Sequence, residues 1–171
     1  MIVRVFVMGI DPGLSRCGYC VLERLSARST AVRALGVFRT PTDQAVPQRL
    51  AILQDDVSEL ITEFAPAVVA IERVLFQVNV QTAMAVGQAS GVVMALAVRH
   101  GAEVVEYSPN EVKQVVTGSG SADKAQVQMM VQRLLKLKSL PEPADAADAA
   151  AVALTHLASA TMRSLAQAGT R

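Results

Sequence analysis

Between Pro66 and Glu72 the chain reads AVVAI, an unbroken apolar run from Ala67 to Ile71. A run that short, stopped by a proline on one side and an acid on the other, has the pattern of a strand buried on both faces. Such a strand lies inside a sheet covered by helices, which excludes most all-β and all-α layouts. The flanking segments agree. From Gln48 to Phe64, residues Leu50, Leu53, Val57, Leu60, Ile61 and Phe64 recur at helical spacing. Val80 to Arg99 is a second helix, rich in Ala, Val and Met, that ends at Gly101. It carries Gly87 and Gly91, and small residues four apart let another backbone approach, either the sheet or a second subunit.

Three further β-rich runs open the chain: Ile2 to Ile10, Gly18 to Leu25 and Ala31 to Thr40. Their short polar connections predict an antiparallel meander. After the central strand come a strand at Glu103 to Tyr107 and helices at Pro109 to Val116, Lys124 to Leu135 and Ala144 to Leu165. Ser121 or Asp123 is placed to cap the Lys124 helix. The order predicts an α/β fold: a mixed sheet, three antiparallel strands then parallel strands, flanked by helices. With 171 residues, no linker and no repeat, one domain over 1–165 is expected, followed by a frayed tail at 166–171. The apolar half of the composition is mostly Ala, Val and Leu with no Trp, which suits helices packed on a sheet.

The formal net charge is +1, unlike the strongly basic balance usual for nucleic-acid binders. The distribution is less even. Lys113, Lys124, Arg133, Lys136 and Lys138 face only Asp123 in their stretch, while Asp55, Asp56, Glu59 and Glu63 gather on an earlier helix. A locally basic face is one reading, but charge alone favours an ordinary solvated helix surface. No stretch reaches about 18 uninterrupted apolar residues and no secretory leader opens the chain, so no membrane span and a cytoplasmic location are expected. Cys17 and Cys20 form a C-x-x-C spacing, but on a strand their side chains point to opposite faces. No second Cys/His pair completes a zinc site, so both cysteines are expected to be structural.

The chemistry lies in acids at unusual places. Asp11 ends one apolar strand and Glu72 another. Asp145 and Asp148 interrupt an alanine stretch, ADAADAAAVAL, at i and i+3, so they share one helical face. Asp145 would also suit the helix N-terminus. Unpaired carboxylates at buried strand ends are costly, and either a basic partner or a metal would relieve them. Arg73 is the nearest cation in sequence to Glu72, but on a strand it points the other way. Oxygen-only ligands select Mg²⁺ or Mn²⁺ over zinc. Four carboxylates could hold two such ions about 4 Å apart, the arrangement that hydrolyses phosphodiesters without a protein nucleophile. His156 lies about 16 Å along a helix from Asp145, too far to share a metal, and His156 and His100 are expected to be structural or exposed. There is no G-x-S-x-G elbow and no Cys-His pair.

GIDPG at Gly9 to Gly13, AIERV at Ala70 to Val74, GQASG at Gly87 to Gly91 and DAADA at Asp145 to Ala149 stand in the order and spacing of bacterial RuvC. The stretch VKQVVTGSGSADKAQVQMMV also resembles that family, and the resemblance covers roughly residues 2 to 160. It implies a ribonuclease-H-like fold and a homodimer that resolves Holliday junctions in recombination and DNA repair. It implies Mg²⁺-dependent paired symmetric nicks, with Mn²⁺ substituting, that leave 5′-phosphate and 3′-hydroxyl ends. The RuvA–RuvB branch-migration complex is the implied partner. The family's acidic positions fall on Asp11, Glu72, Asp145 and Asp148, and some members carry His at the third. Its basic residues near the scissile phosphate fall on Lys113 and Lys124, the latter also counted as catalytic. Where the family usually has an aromatic junction wedge this chain has Leu75, followed by Phe76, and Arg73 joins these as a candidate DNA contact. Rival readings are a nuclease for RNA–DNA hybrids, a binding module with a vestigial site, and an actin-like nucleotide-binding fold.

Overall fold

The computed structural model describes residues 4–26, 29–73 and 80–168. Three long strands come first: β1 (Val5–Asp11), β2 (Arg16–Ser26) and β3 (Ser29–Arg39). They are followed by α1 (Val46–Phe64), β4 (Val68–Glu72), α2 (Val80–Arg99), β5 (Glu103–Tyr107), α3 (Pro109–Thr117), α4 (Lys124–Leu135) and α5 (Ala144–Ala168). The five strands form one sheet in the order β3-β2-β1-β4-β5. β3, β2 and β1 pair antiparallel, whereas β1, β4 and β5 pair parallel, as the alternation of runs and helices predicts. α5 continues past the expected end at Leu165 to Ala168.

The two-residue period of a strand sorts the core into two layers. Met8, Ile10, Val69 and Ile71 point to one face and bury with Leu53, Val57 and Ile61 of α1 and with Ala89, Val93 and Ala97 of α2. Val7, Cys20, Leu22 and Ala70 point to the other and bury with α3, α4 and α5. Cys17 and Cys20 fall in different layers and are free and fully buried. Burial pushes both thiols up to about 12, so neither is a thiolate at neutral pH.

α2 contains a stretch, Thr82–Arg99, long and apolar enough to cross a membrane by length and composition, although no uninterrupted apolar run does so. One stripe of it is buried against the sheet. Val80, Met84 and Val98 are exposed, and a Cβ added at Gly87 or Gly91 would meet nothing within 4 Å among the described residues. The sheet is therefore not what approaches these two glycines.

Candidate active site

Asp11 lies two residues beyond Gly9 on β1, and Glu72 two beyond Ala70 on β4. Parallel pairing of Ile10 with Ile71 sets the two acids side by side at the same end of the sheet, on the α5 face. α5 can lie on that face because the sheet surface beneath it is bare. A Cβ on Gly9 would enter the Ala149 carbonyl oxygen and come within 2.8 Å of the Ala153 Cβ, and one on Gly18 would enter the Asp145 carbonyl oxygen. The helix answers with small residues: Ala146, Ala147, Ala149, Ala150, Ala151 and Ala153 are all fully buried. Contact between glycine and alanine surfaces brings the first turns of α5, and with them Asp145 and Asp148, down to the strand ends.

Asp11, Glu72 and Asp148 line a cleft of about 270 Å³, together with Lys113 of α3 and Lys124 of α4. Lys124 is fixed as the first helical residue by its neighbour. Asp123 is the N-cap, its side chain accepting from the Gln126 backbone while the Gln126 side chain accepts from the Asp123 N–H. α3 starts on the same device, with Ser108 and Glu111. The Lys124 ammonium donates to Asp148 at 3.4 Å. Asp145 stands beside the cleft rather than lining it, and pairs at 3.4 Å with Arg16 at the start of β2.

Crowding of these acids shows in their protonation. Asp11 is pushed up to about 8, first by burial, then by the charges of Asp148, Glu72 and Asp145, with Lys124 opposing. Burial likewise raises Glu72, with Asp148 adding to it and Lys124 and Lys113 opposing. Asp148 is raised by burial against the pull of Lys124, and Lys124 is raised in turn by Asp148. A carboxyl that holds its proton first because it is largely buried, and then because three other carboxyls crowd it, is a group a cation would stabilise. The donor set, carboxylates alone, fits a hard divalent ion. As the side chains stand among the described residues, no three of them converge tightly enough to clasp one ion, and Lys124 and Arg16 hold the two helix acids instead.

The remaining sequence candidates separate. Arg73 is exposed just beyond β4, its N–H donating to the Tyr107 carbonyl, and its charge acts on Glu111 rather than in the cleft. Leu75 and Phe76 lie outside the described residues. His100 is exposed, and His156 is buried with Nδ1 3.1 Å from the Tyr107 hydroxyl, so neither approaches the acids as a ligand. Sequence reasoning missed Arg16. Its even-numbered position in β2, in phase with Gly18, puts it on the α5 face, but that phase is visible only once the strand's register is known.

The model of the family "Crossover junction endodeoxyribonuclease RuvC" matches residues 7–156. The RuvC of Streptomyces avermitilis is 49% identical over 151 residues, covering 88% of this chain and 86% of that one. The RuvC of Mycobacterium tuberculosis is 49% identical over 150 residues, covering 88% and 80%. Among solved structures, Thermus thermophilus RuvC in complex with Holliday junction substrate superposes with a TM-score of 0.87 at 35% identity, covering 92% of this chain and 96% of that one. The yeast mitochondrial Holliday junction resolvase Ydc2, at TM-score 0.65 and 16% identity, shares the fold. The mixed sheet and its ribonuclease-H-like layering are thus those of a known group of DNA-cleaving hydrolases, and the chain belongs to the RuvC family of crossover junction endodeoxyribonucleases.

Proposed function

We propose that this chain is a Holliday junction resolvase of recombination and DNA repair, in which Asp11, Glu72, Asp145 and Asp148 hold two Mg²⁺ ions, with Mn²⁺ able to substitute. The observation that carries the reading is the cleft itself: a buried carboxyl crowded by three others, rimmed by Lys113 and Lys124. When bound, the metal supplies an activated water and neutralises charge on the leaving 3′ oxygen. The side chains of the protein then have distinct tasks. The four acids define where that water can stand. Lys124, at a helix N-terminus, and Lys113 neutralise the scissile phosphate and orient it in line. The leaving oxygen departs as a 3′-hydroxyl and the phosphate remains on the 5′ end.

A homodimer would set two such sites against a two-fold substrate and give paired, symmetric nicks. The exposed Val80, Met84 and Val98 of α2, beside two glycines that face open space, support that face as the dimer contact. Arg73, Leu75 and Phe76 follow directly on the β4 acid, which supports them as DNA contacts at the junction centre. Both core layers share one sheet, which supports a single nuclease domain over 1–165. The family resemblance supports RuvA–RuvB as partner, and the cytoplasm, where the DNA is, as location.

The test uses wild type and Asp11→Asn on a synthetic four-way junction, an RNA–DNA hybrid and linear duplex, with and without Mg²⁺. Junction-selective nicking that needs Mg²⁺, and that Asn abolishes while binding persists, is the expected result. Equal cutting of all three substrates would remove the resolvase reading. Binding without cutting under any divalent ion would remove the nuclease reading.

A further inference from the structure

The cleft already has two cations, Lys113 of α3 and Lys124 of α4. The β2–β3 end of the sheet carries a second set. Arg16 of β2 pairs in register with Arg39 of β3. Directly opposed residues of antiparallel strands point to the same face, and two like charges so placed repel each other. Arg16 is relieved by Asp145 at 3.4 Å. Arg39 is exposed and, among the described residues, has no ion pair. Nothing in the packing calls for two arginines here, and local rules are broken most often where function asks for it.

The backbone beneath them is pinned. Thr40, buried beside Arg39, donates its hydroxyl to the Leu14 carbonyl at 2.6 Å and its N–H to the Ser15 carbonyl at 3.3 Å. Arg49 of α1 ties the same corner, its Nε donating to the Thr40 hydroxyl at 2.9 Å and its Nη2 to the Ser15 hydroxyl at 2.6 Å. A rigid corner carrying two guanidinium forks on one face suits a tetrahedral anion better than a carboxylate partner. The strand order places it beside Asp11 of β1, next to where the substrate backbone must pass.

We propose that Arg16 and Arg39 form a phosphate seat for the DNA backbone on the β2–β3 side of the cleft, and that Asp145 withholds Arg16 from this seat until a divalent cation takes the carboxylate. The proposal rests on the metal-dependent nuclease reading above. The Arg16–Asp145 pair is suited to such an exchange. Its arginine side chain is 56% exposed, so water and neighbouring charges substitute readily for the partner. Metal binding then does two things: it fills the acids and it releases a guanidinium beside Arg39. By linkage, DNA in the seat strengthens metal binding in return.

The experiment measures binding of a labelled four-way junction by full-length wild type, Arg16→Met, Arg39→Met and Arg16→Lys, across a salt series. It is run in EDTA and again with Ca²⁺, with thermal melts as a check on folding. With Ca²⁺, Arg16→Met and Arg39→Met each weaken binding on the order of tenfold. Each also lowers the slope of log K against log salt by about 0.9, the signature of one lost phosphate contact. Arg16→Lys keeps most of the slope. In EDTA only Arg39→Met weakens binding, because Arg16 is then engaged by Asp145. A second readout needs no DNA: Mn²⁺ titration followed by electron paramagnetic resonance shows tighter binding to Arg16→Met than to wild type. Wild-type affinity and slope in both methionine variants, while wild type binds junctions normally, would overturn the seat. Unchanged Mn²⁺ affinity would overturn the exchange. Failure of wild type to bind junctions at all would instead strike the nuclease reading on which both depend.

Discussion

Asp11→Asn removes the charge that the fold resists most, and its effect on stability follows from the protonation of the site. The Asp11 carboxyl ionises near 3.8 when exposed and at about 8 in the folded chain. Between those values the folded state holds a proton that the unfolded state has lost. Stability therefore falls as pH rises from about 4 to about 8 and is flat outside that window. Each unit inside it costs the folded chain at most about 1.4 kcal/mol. The full sum is not reached, because Lys124 moderates the site and Glu72 and Asp148 titrate with Asp11. The replacing amide also needs hydrogen bonds of its own, at about 1–3 kcal/mol where one is missing. A net gain of about 2 kcal/mol at pH 8 is expected, equivalent to ~4–8 °C in Tm for a chain of this size. The assay is thermal unfolding of both proteins in EDTA at intervals from pH 5 to 8.5. Wild type should lose stability across the window and Asp11→Asn should lose much less, so the slope is diagnostic even if the amide shifts the offset. Saturating Mg²⁺ should then raise wild type more than the variant. Equal slopes for the two proteins in EDTA would refute the claim that Asp11 is the strained acid.

Gly18→Ala should destabilise by about 2–4 kcal/mol in urea unfolding and lower nicking with it, because the new methyl enters the Asp145 carbonyl and must lift the acid-bearing turn of α5. Asp123→Ala removes the cap that fixes Lys124, so it should cost about 1 kcal/mol and slow single-turnover nicking while leaving the acids in place. Tyr107→Phe removes the 3.1 Å contact to His156 and should shift the urea midpoint by about 1 kcal/mol with an unchanged m-value and unchanged nicking.

The parts of this fold legible in the sequence are those with local punctuation. β5, α2 and α4 begin and end where the apolar pattern, glycines and capping residues place them. β4 likewise sits within a residue of its apolar run, because Pro66 and Glu72 bound it. Less was legible where a residue's meaning depends on a partner far along the chain. Gly9 reads as part of the GIDPG motif, but its structural task is to receive Ala149 and Ala153, more than a hundred residues later. The alanines around Asp145 and Asp148 read as a neutral background to the acids, and they are the contact surface that delivers them. Arg16 gives no signal of its own, since only the β2 register and the docking of α5 together bring it to Asp145. Gly87 and Gly91 show the reverse: a spacing that suggests close approach, with no atom of the described residues answering it.

The division of labour between the two core layers explains how a chain tolerates so unfavourable a cluster. Most of the largest fully buried side chains, among them Met8, Ile10, Leu53, Ile61 and Ile71, lie on the face away from the site. Burial of such side chains contributes about 25 cal/mol per Å². Where the first turns of α5 meet β1 and β2 the contact is built instead from glycine and alanine, which bury little area but let two backbones come close. Close approach is what convergence of four carboxylates demands, and bulky residues there would hold Asp145 and Asp148 off the strand ends. The contact that carries the acids thus gives up side-chain burial for geometry, and the large core side chains away from it, on the opposite face above all, help the acids remain crowded until a cation arrives.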